Sequence, residues 1–269
     1  MPCQLAFGAA LRLNRRMQHR LFLAGILLLN AIGGLAQTQT NRFDGDIAAF
    51  EARDRANPPP QNAILFIGSS SIRMWKTLAA DFPQHKVINR GFGGSEIADS
   101  VHFVDRIVIP YRPGMVVMYA GGNDINAGKS PERVAEDFKA FVEKVRAKLP
   151  DVPITYISIA PNPARWAQVD RVRRANELIR EFAKTGPKLK FIDVFPHMLG
   201  EDGQPRSGIY LDDRLHMNEK GYELWRDIVG PYLGPVDPEK ADAPAPKTTS
   251  DVNAAAATKV APVEPATAQ

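Results

Sequence analysis

The sequence predicts an α/β domain of three layers, in which helices cover both faces of a central, mostly parallel β-sheet. Short apolar segments of strand length alternate along the chain with longer segments of helical periodicity. The apolar segments are nearly continuous, as in parallel strands that are buried on both faces. Polar and glycine-rich loops follow these segments, at the carboxyl ends of the strands, where such folds form their active site.

Five segments have the length and composition of buried strands. They are rich in valine, isoleucine, phenylalanine or tyrosine, which fit a pleated and buried surface. In chain order they are Ala63–Ile67, Lys86–Asn89, Met115–Tyr119, Ile154–Ile159 and Leu189–Val194.

Three segments between and after these strands have the spacing of amphipathic helices. In the first, over 130–149, apolar residues recur every three or four positions, and Ser130 and Pro131 suit the N-cap and the first helical position. The same spacing indicates a second helix over 172–182 and a last helix after Asn218.

The first 36 residues have the layout of a secretory signal peptide. Four arginines and no lysine, aspartate or glutamate occur there, and an apolar run lies at Leu21–Leu29. The triplet 34–36, Gly-Leu-Ala, predicts cleavage after Ala36. We expect an exported, periplasmic or secreted protein without stable membrane insertion after cleavage, since the apolar run is shorter than the roughly 20 residues that span a bilayer. An uncleaved anchor and a start at Met17 remain alternatives.

The distribution of charge argues against a nucleic-acid partner. The chain of 269 residues has a formal net charge of +4, but without the four leader arginines its 30 remaining basic residues balance 30 acidic ones. A neutral domain gives no compositional support for a phosphate-binding surface. Because the only cysteine, Cys3, also lies in the leader, the mature chain would have no disulfide and no thiol nucleophile.

From Pro235 onward the composition changes to proline, alanine, threonine and lysine, without large aromatic residues. Such a stretch cannot bury enough apolar surface to offset the entropy lost on ordering. We therefore predict a disordered tail over 235–269 and one folded domain over 41–234.

A serine triplet follows the first predicted strand, in Gly68-Ser69-Ser70-Ser71-Ile72. A serine becomes a nucleophile when a neighbouring imidazole takes its proton and a third group orients that imidazole. The residues alone are equally compatible with serines that cap a helix. The nucleophile elbow of the α/β-hydrolases is disfavoured, because Ile72 stands where that motif requires glycine.

His216 is the candidate base for this serine. It lies three residues after Asp213, just before the last predicted helix. A single histidine is more often structural, Asp213 could instead cap a helix, and His102 and His197 remain alternatives. We find no clear set of further ligands for a metal around this pair.

Two glycine-rich loops follow the second and third predicted strands, at 91–94 and 121–124. Ester cleavage passes through an oxyanion that needs preorganised donors. Gly94 can present an unobstructed backbone N–H and Asn123 a side-chain amide. Either loop alone is better explained as a tight turn between a strand and a helix.

Together, four segments resemble the ordered sequence blocks of the SGNH hydrolases, also called GDSL esterases and lipases. Phe66–Ser70 is similar to the family's Phe-x-Gly-Asp-Ser block, and Gly121–Asp124 to its Gly-x-Asn-Asp block. The family's other two blocks have their counterparts in this chain at Asn89–Gly94 and Asp213–His216. The resemblance covers about Ile64–Leu233.

The resemblance implies a flavodoxin-like SGNH hydrolase fold and a serine ester hydrolase. Ser70 would be the nucleophile, and Asp213 and His216 its base system. The implied oxyanion donors are the N–H groups of Ser70 and Gly94 and the amide of Asn123. Neither a cofactor nor a metal is needed.

One departure from the family pattern lies before the nucleophile. The family commonly has aspartate there, whereas this chain has Ser69, so Ser69 and Ser71 remain alternatives to Ser70. The form Gly-Ser-Ser-Ser-Ile-Arg-x-Trp resembles a recurrent variant within the family.

The implied substrate is a small-molecule, glycan or lipid ester, since the family contains enzymes for acetyl esters of carbohydrates and for lysophospholipids. An acyltransferase that uses the same serine is a second hypothesis. A non-catalytic envelope binding module with this fold is a third. Residues that could line the site, although packing explains each equally well, are Arg73, Trp75, Phe92, Arg165 and Trp166.

Overall fold

The computed structural model describes residues 41–186 and 188–234. The signal peptide predicted at 1–36 and the tail predicted at 235–269 lie outside these residues and stay predictions. Within the described part, the three-layer fold is confirmed, because a parallel sheet of five strands carries helices on both faces.

The strands are β1 (Ile64–Gly68), β2 (Val87–Gly91), β3 (Met115–Tyr119), β4 (Ile154–Ile157) and β5 (Leu189–Ile192). Each agrees with its predicted segment to within two residues at either end. The helices are α1 (Asp44–Ala56), α2 (Ser70–Met74), α3 (Leu78–Asp81), α4 (Ile97–Ile107), α5 (Gly122–Asn126), α6 (Pro131–Arg146), α7 (Val169–Ala183) and α8 (Glu219–Val229).

The strand order in the sheet is β2-β1-β3-β4-β5, and every neighbouring pair is parallel. The chain goes from β1 to the edge strand β2 and then crosses back to form β3 on the other side of β1. The carboxyl ends of β1 and β3 therefore border a crevice, which is where open parallel sheets bind ligands. Ser70 follows β1 and Asn123 follows β3, so the topology brings both to this crevice.

Local capping explains where three helices begin. The Ser130 hydroxyl accepts a backbone hydrogen bond from the first turn of α6 at 3.2 Å, and the Asn218 side chain does the same for α8 at 3.2 Å. At α4, Glu96 and Asp99 form a reciprocal capping box. A glutamate occupies this N-cap position instead of the usual serine or threonine, and the sequence patterns above do not predict α4.

Each face of the sheet has its own hydrophobic core. On one face, α1, α4, α6 and α7 pack against strand residues such as Leu65 and Met118. On the other, α2, α3 and α8 pack against residues such as Phe66 and Val117. Because both faces are covered, β1 and β3 are buried along their whole length. No helix among the described residues combines the length and the apolar character needed to cross a bilayer.

Candidate active site

A tight turn after β1 places Ser70 at the rim of the sheet. Gly68 adopts φ +136°, and a Cβ at this position would collide with the carbonyl oxygen of Tyr119 on β3, so the turn requires glycine. Ser69 is the N-cap of α2 and is buried. Ser71 forms a side-chain hydrogen bond with Tyr119. Ser70, the first residue of α2, is the member of the triplet whose hydroxyl contacts a histidine.

That histidine is His216, and it is paired in turn with a carboxylate. His216 Nε2 lies 3.0 Å from Ser70 Oγ, and His216 Nδ1 lies 2.6 Å from Oδ2 of Asp213. The other carboxylate oxygen accepts the backbone N–H groups of Leu215 and His216, both at 2.9 Å. The three side chains form a connected chain in which a carboxylate orients an imidazole toward a hydroxyl.

These hydrogen bonds lower the pKa of Asp213 to about 2, from an ordinary value of 3.8. The side chain of His216 contributes most, followed by the backbone N–H groups of His216 and Leu215. Asp213 is therefore charged at neutral pH. A charged carboxylate favours the imidazole tautomer with its proton on Nδ1, which leaves Nε2 as the acceptor for the Ser70 proton.

Gly94 and Asn123 line the same cavity as Ser70 and His216. Gly94 has φ +80° and open space where a Cβ would stand, so no side chain obstructs the approach to its N–H. Asn123 Nδ2 donates one hydrogen bond to the Ser95 carbonyl at 3.0 Å. Its second N–H has no acceptor within the described part of the chain. The arrangement suits the binding of a negatively charged oxygen.

Arg165 fixes the orientation of the Asn123 amide. Its Nη1 donates to Oδ1 of Asn123 and to the carbonyl oxygen of Gly122, both at 3.1 Å. Because a guanidinium only donates, the amide oxygen must face Arg165 and the amide nitrogen must face away from it. The sequence pointed to Arg165 only as a residue that could line the site, and no motif indicated its contact with Asn123.

The buried carboxylate of Asp124 joins the two glycine-rich loops. It has no solvent exposure, and both of its oxygens lie 3.2 Å from the backbone nitrogen of Ile97, which follows the first loop. Lys129 pairs with Asp124 at 3.0 Å, and also with Glu96 at 2.9 Å and Asp137 at 2.8 Å. Burial raises the pKa of Asp124, and Lys129 opposes that shift. No sequence motif indicated Lys129, because its three partners lie on or beside three different helices.

The cavity over Ser70 has a volume of about 240 Å³. Apart from the donors and the base, its walls include the apolar or aromatic side chains of Met198, Tyr210, Met217 and Trp225. Of the five residues that could line the site, Arg73 and Arg165 do so. Trp75 and Phe92 are core residues, each 1% exposed, and Trp166 lines two neighbouring depressions.

The alternative histidines do not line this cavity. His102 is exposed and packs edge-on against Phe103. His197 is exposed in the short 3-10 helix Pro196–Met198. Across residues 41–186 and 188–234, no group of three or more histidine, cysteine, aspartate or glutamate side chains is placed to hold a metal ion.

The family model for the GDSL-like lipase/acylhydrolase family matches residues 66–224. The chain belongs to this family. The resemblance seen in the four sequence blocks is thereby confirmed, and this GDSL-like hydrolase is a carboxylic ester hydrolase of the SGNH type. The matched segment contains all five predicted site residues, which are Ser70, Gly94, Asn123, Asp213 and His216.

Relatives of this GDSL-like hydrolase carry esterase names. Platelet-activating factor acetylhydrolase IB subunit alpha1 of Bos taurus is 29% identical over 171 residues, which cover 59% of this chain and 69% of the relative. Esterase TesA of Pseudomonas aeruginosa is 26% identical over 87 residues, 32% of this chain and 43% of the relative. A GDSL-like lipase of Bacteroides thetaiotaomicron, 20% identical, superposes with a TM-score of 0.60 over 70% of this chain and 97% of that structure, a likeness that shows the fold.

Proposed function

We propose that this protein hydrolyses esters of short acyl groups through an acyl-enzyme on Ser70. The observation that carries the proposal is the hydrogen-bonded chain from Ser70 through His216 to Asp213, which opens on a cavity lined by Gly94 and Asn123. Membership of an acylhydrolase family supports the same chemistry.

In the proposed mechanism, His216 Nε2 takes the Ser70 proton while Ser70 Oγ attacks the ester carbonyl carbon. Asp213 stabilises the imidazolium that forms. The N–H groups of Ser70 and Gly94 and the amide of Asn123 bind the oxyanion. His216 then protonates the leaving alcohol, and the same imidazole activates the water that releases the acid.

The size of the cavity favours short acyl groups. Its volume of about 240 Å³ lies below the roughly 300–1,000 Å³ of pockets that hold drug-sized ligands. Large side chains such as Tyr210 and Trp225 form part of its walls. The acetylhydrolase name of the bovine relative supports acetyl as the acyl group. The proposed substrates are acetyl esters of carbohydrates. Lysophospholipid-type esters, which carry long acyl chains, are the alternative class, and a rise of kcat/KM with acyl length would favour them.

A fluorophosphonate probe with mass-spectrometric mapping tests the nucleophile. The adduct should lie on Ser70, and Ser70→Ala should abolish both labelling and the hydrolysis of p-nitrophenyl acetate. Ser69→Ala is the matched control within the triplet and should still be labelled at Ser70. An adduct on Ser69 or Ser71, or full activity in Ser70→Ala, would contradict the assignment.

A series of p-nitrophenyl esters from acetate to octanoate tests the acyl preference. The value of kcat/KM should be highest for acetate and fall as the chain outgrows the cavity. If neither hydrolysis nor labelling occurs, the non-catalytic binding module is favoured instead. If a sugar acceptor yields more acyl transfer product than free acid, the acyltransferase hypothesis is favoured.

A further inference from the structure

Two arginines line the catalytic cavity, one beside each glycine-rich loop. Arg73 lies on α2, and its guanidinium packs so closely on Gly93 that a Cβ there would lie 2.7 Å from Arg73 Nε. This contact places Arg73 next to the loop that contains Gly94. Arg165 lies beside the other loop, in contact with Gly122 and Asn123. One positive charge therefore lies beside each of the two loops that are predicted to bind the oxyanion.

Neither arginine has a carboxylate partner among residues 41–186 and 188–234. The acceptors that Arg165 meets are the neutral oxygens of Gly122 and Asn123. Some other arginines of the domain are paired with acids, as Arg90 is with Asp54 at 2.6 Å, whereas Arg171, like Arg165, meets only neutral oxygens within these residues. No described aspartate or glutamate lines the cavity, and Asp213 is engaged with His216 behind it. The two arginine charges exceed the single negative charge of Asp213, so the cavity carries an excess of positive charge.

The geometry of Arg165 suits an anion. Of its guanidinium nitrogens only Nη1 has acceptors in the described part of the chain, so the Nε and Nη2 edge is available. Two parallel N–H donors on one edge match the two oxygens of a carboxylate or a phosphate. Burial lowers the pKa of Arg165, but an arginine stays charged in a protein. A half-buried cation without a counter-ion attracts anions more strongly than one in open water.

We propose that Arg73 and Arg165 select esters that carry a carboxylate or phosphate group close to the scissile bond. The proposal rests on the proposed function, since the cavity is the one over Ser70. A neutral acetate reaches Ser70 without using either guanidinium. An anionic ester gains charge-assisted hydrogen bonds, which typically correspond to roughly 10-fold to 100-fold in kcat/KM.

Two pairs of matched substrates test this selection and locate the charge. The first pair is 4-acetoxybenzoate and its neutral isostere 4-acetoxybenzamide, which place the charge on the alcohol side. The second is mono-4-nitrophenyl succinate and its neutral methyl ester, which place it on the acyl side. The readout is the anionic-to-neutral ratio of kcat/KM, corrected for the rates of uncatalysed hydrolysis.

In the wild-type protein the ratio should reach roughly 10 to 100 for at least one pair. It should fall with added salt, which screens charges at the cavity mouth. Arg73→Gln and Arg165→Gln should each lower the ratio. Arg165→Gln can also lower kcat/KM for the neutral ester, because Asn123 loses its contact with Arg165, but the ratio corrects for this effect. Arg112→Gln is the matched control, because Arg112 is exposed before β3 at the opposite end of the sheet and should leave the ratio unchanged.

A wild-type ratio near one in both pairs would overturn the proposal. So would a ratio that both arginine variants retain. Failure of the proposed function would look different, because neither neutral nor anionic esters would then be hydrolysed through Ser70, and Ser70→Ala would behave like the wild type.

Discussion

Replacing Lys129 with methionine should destabilise the protein by about 3–5 kcal/mol at neutral pH, the usual loss when one partner of a buried ion pair is removed. The loss should come mainly from Asp124, which has no solvent exposure. Among the described residues it would keep only the 3.2 Å contacts with one backbone N–H. The other two partners of Lys129 should contribute less to the destabilisation. Asp137 would still be paired with Arg133 at 2.8 Å, and the side chain of Glu96 is 23% exposed to solvent.

The destabilisation should shrink in acid. Burial already raises the pKa of Asp124 above 3.8, and the loss of Lys129 would raise it further. A carboxyl group whose folded pKa exceeds its unfolded pKa stabilises the fold below the unfolded value, and this contribution is lost as pH rises through the folded pKa. The variant should therefore be nearest to wild type in acid and furthest from it above neutral pH.

Thermal and urea unfolding followed by circular dichroism, at about pH 7.5 and about pH 4.5, measure both effects. For a domain of this size the expected loss corresponds to a fall in Tm of roughly 6–20 °C. Lys139→Met is the matched control on α6, because Lys139 is 58% exposed and lies 3.8 Å from an exposed Glu143. Its Tm should stay within about 2 °C of wild type. Equal Tm values for the two variants, or a loss that grows in acid, would refute the reasoning.

Three further substitutions test the site and its turn. Asn123→Ala should lower kcat about 100-fold to 1,000-fold with little change in KM, because an oxyanion donor is lost. Asp213→Asn should lower kcat about 10,000-fold, because asparagine no longer favours the Nδ1–H tautomer of His216. Steady-state kinetics on p-nitrophenyl acetate measure both, and a variant that keeps more than about a tenth of wild-type kcat would contradict its assigned role. Gly68→Ala should lower both Tm and activity, because its Cβ would meet the Tyr119 carbonyl; unchanged values would mean that the turn adapts.

The sheet could be predicted from the sequence because its signals are local. Each strand is a short apolar run, and α6 has both its N-cap Ser130 and a full apolar face. By contrast, α1 has almost no apolar periodicity and buries only Ile47 and Phe50, so its helical state depends on packing against the domain. Helix α4 is strongly amphipathic, but its N-cap is Glu96, so the serine or threonine that usually marks a helix start is absent from that position.

The site could be assembled from the sequence only through the family blocks. The contact between Ser70 and His216 joins residues 146 positions apart, and no spacing rule predicts it. Three serines follow one another, and the turn at Gly68 and the starting direction of α2 decide which hydroxyl reaches the imidazole. Both are properties of the tertiary structure. The roles of Arg165 and Lys129 also lie in contacts between distant elements, which leave no local pattern.

Asp213 and His216 are three residues apart in the chain, whereas Ser70 and His216 are 146 positions apart. If α8 and the segment before it separated from the sheet, Asp213 and His216 would stay together but lose the serine. Proteins open locally at a lower free energy than they unfold globally. Detachment of this segment would therefore abolish turnover even while the sheet, and most of the circular dichroism signal, persisted.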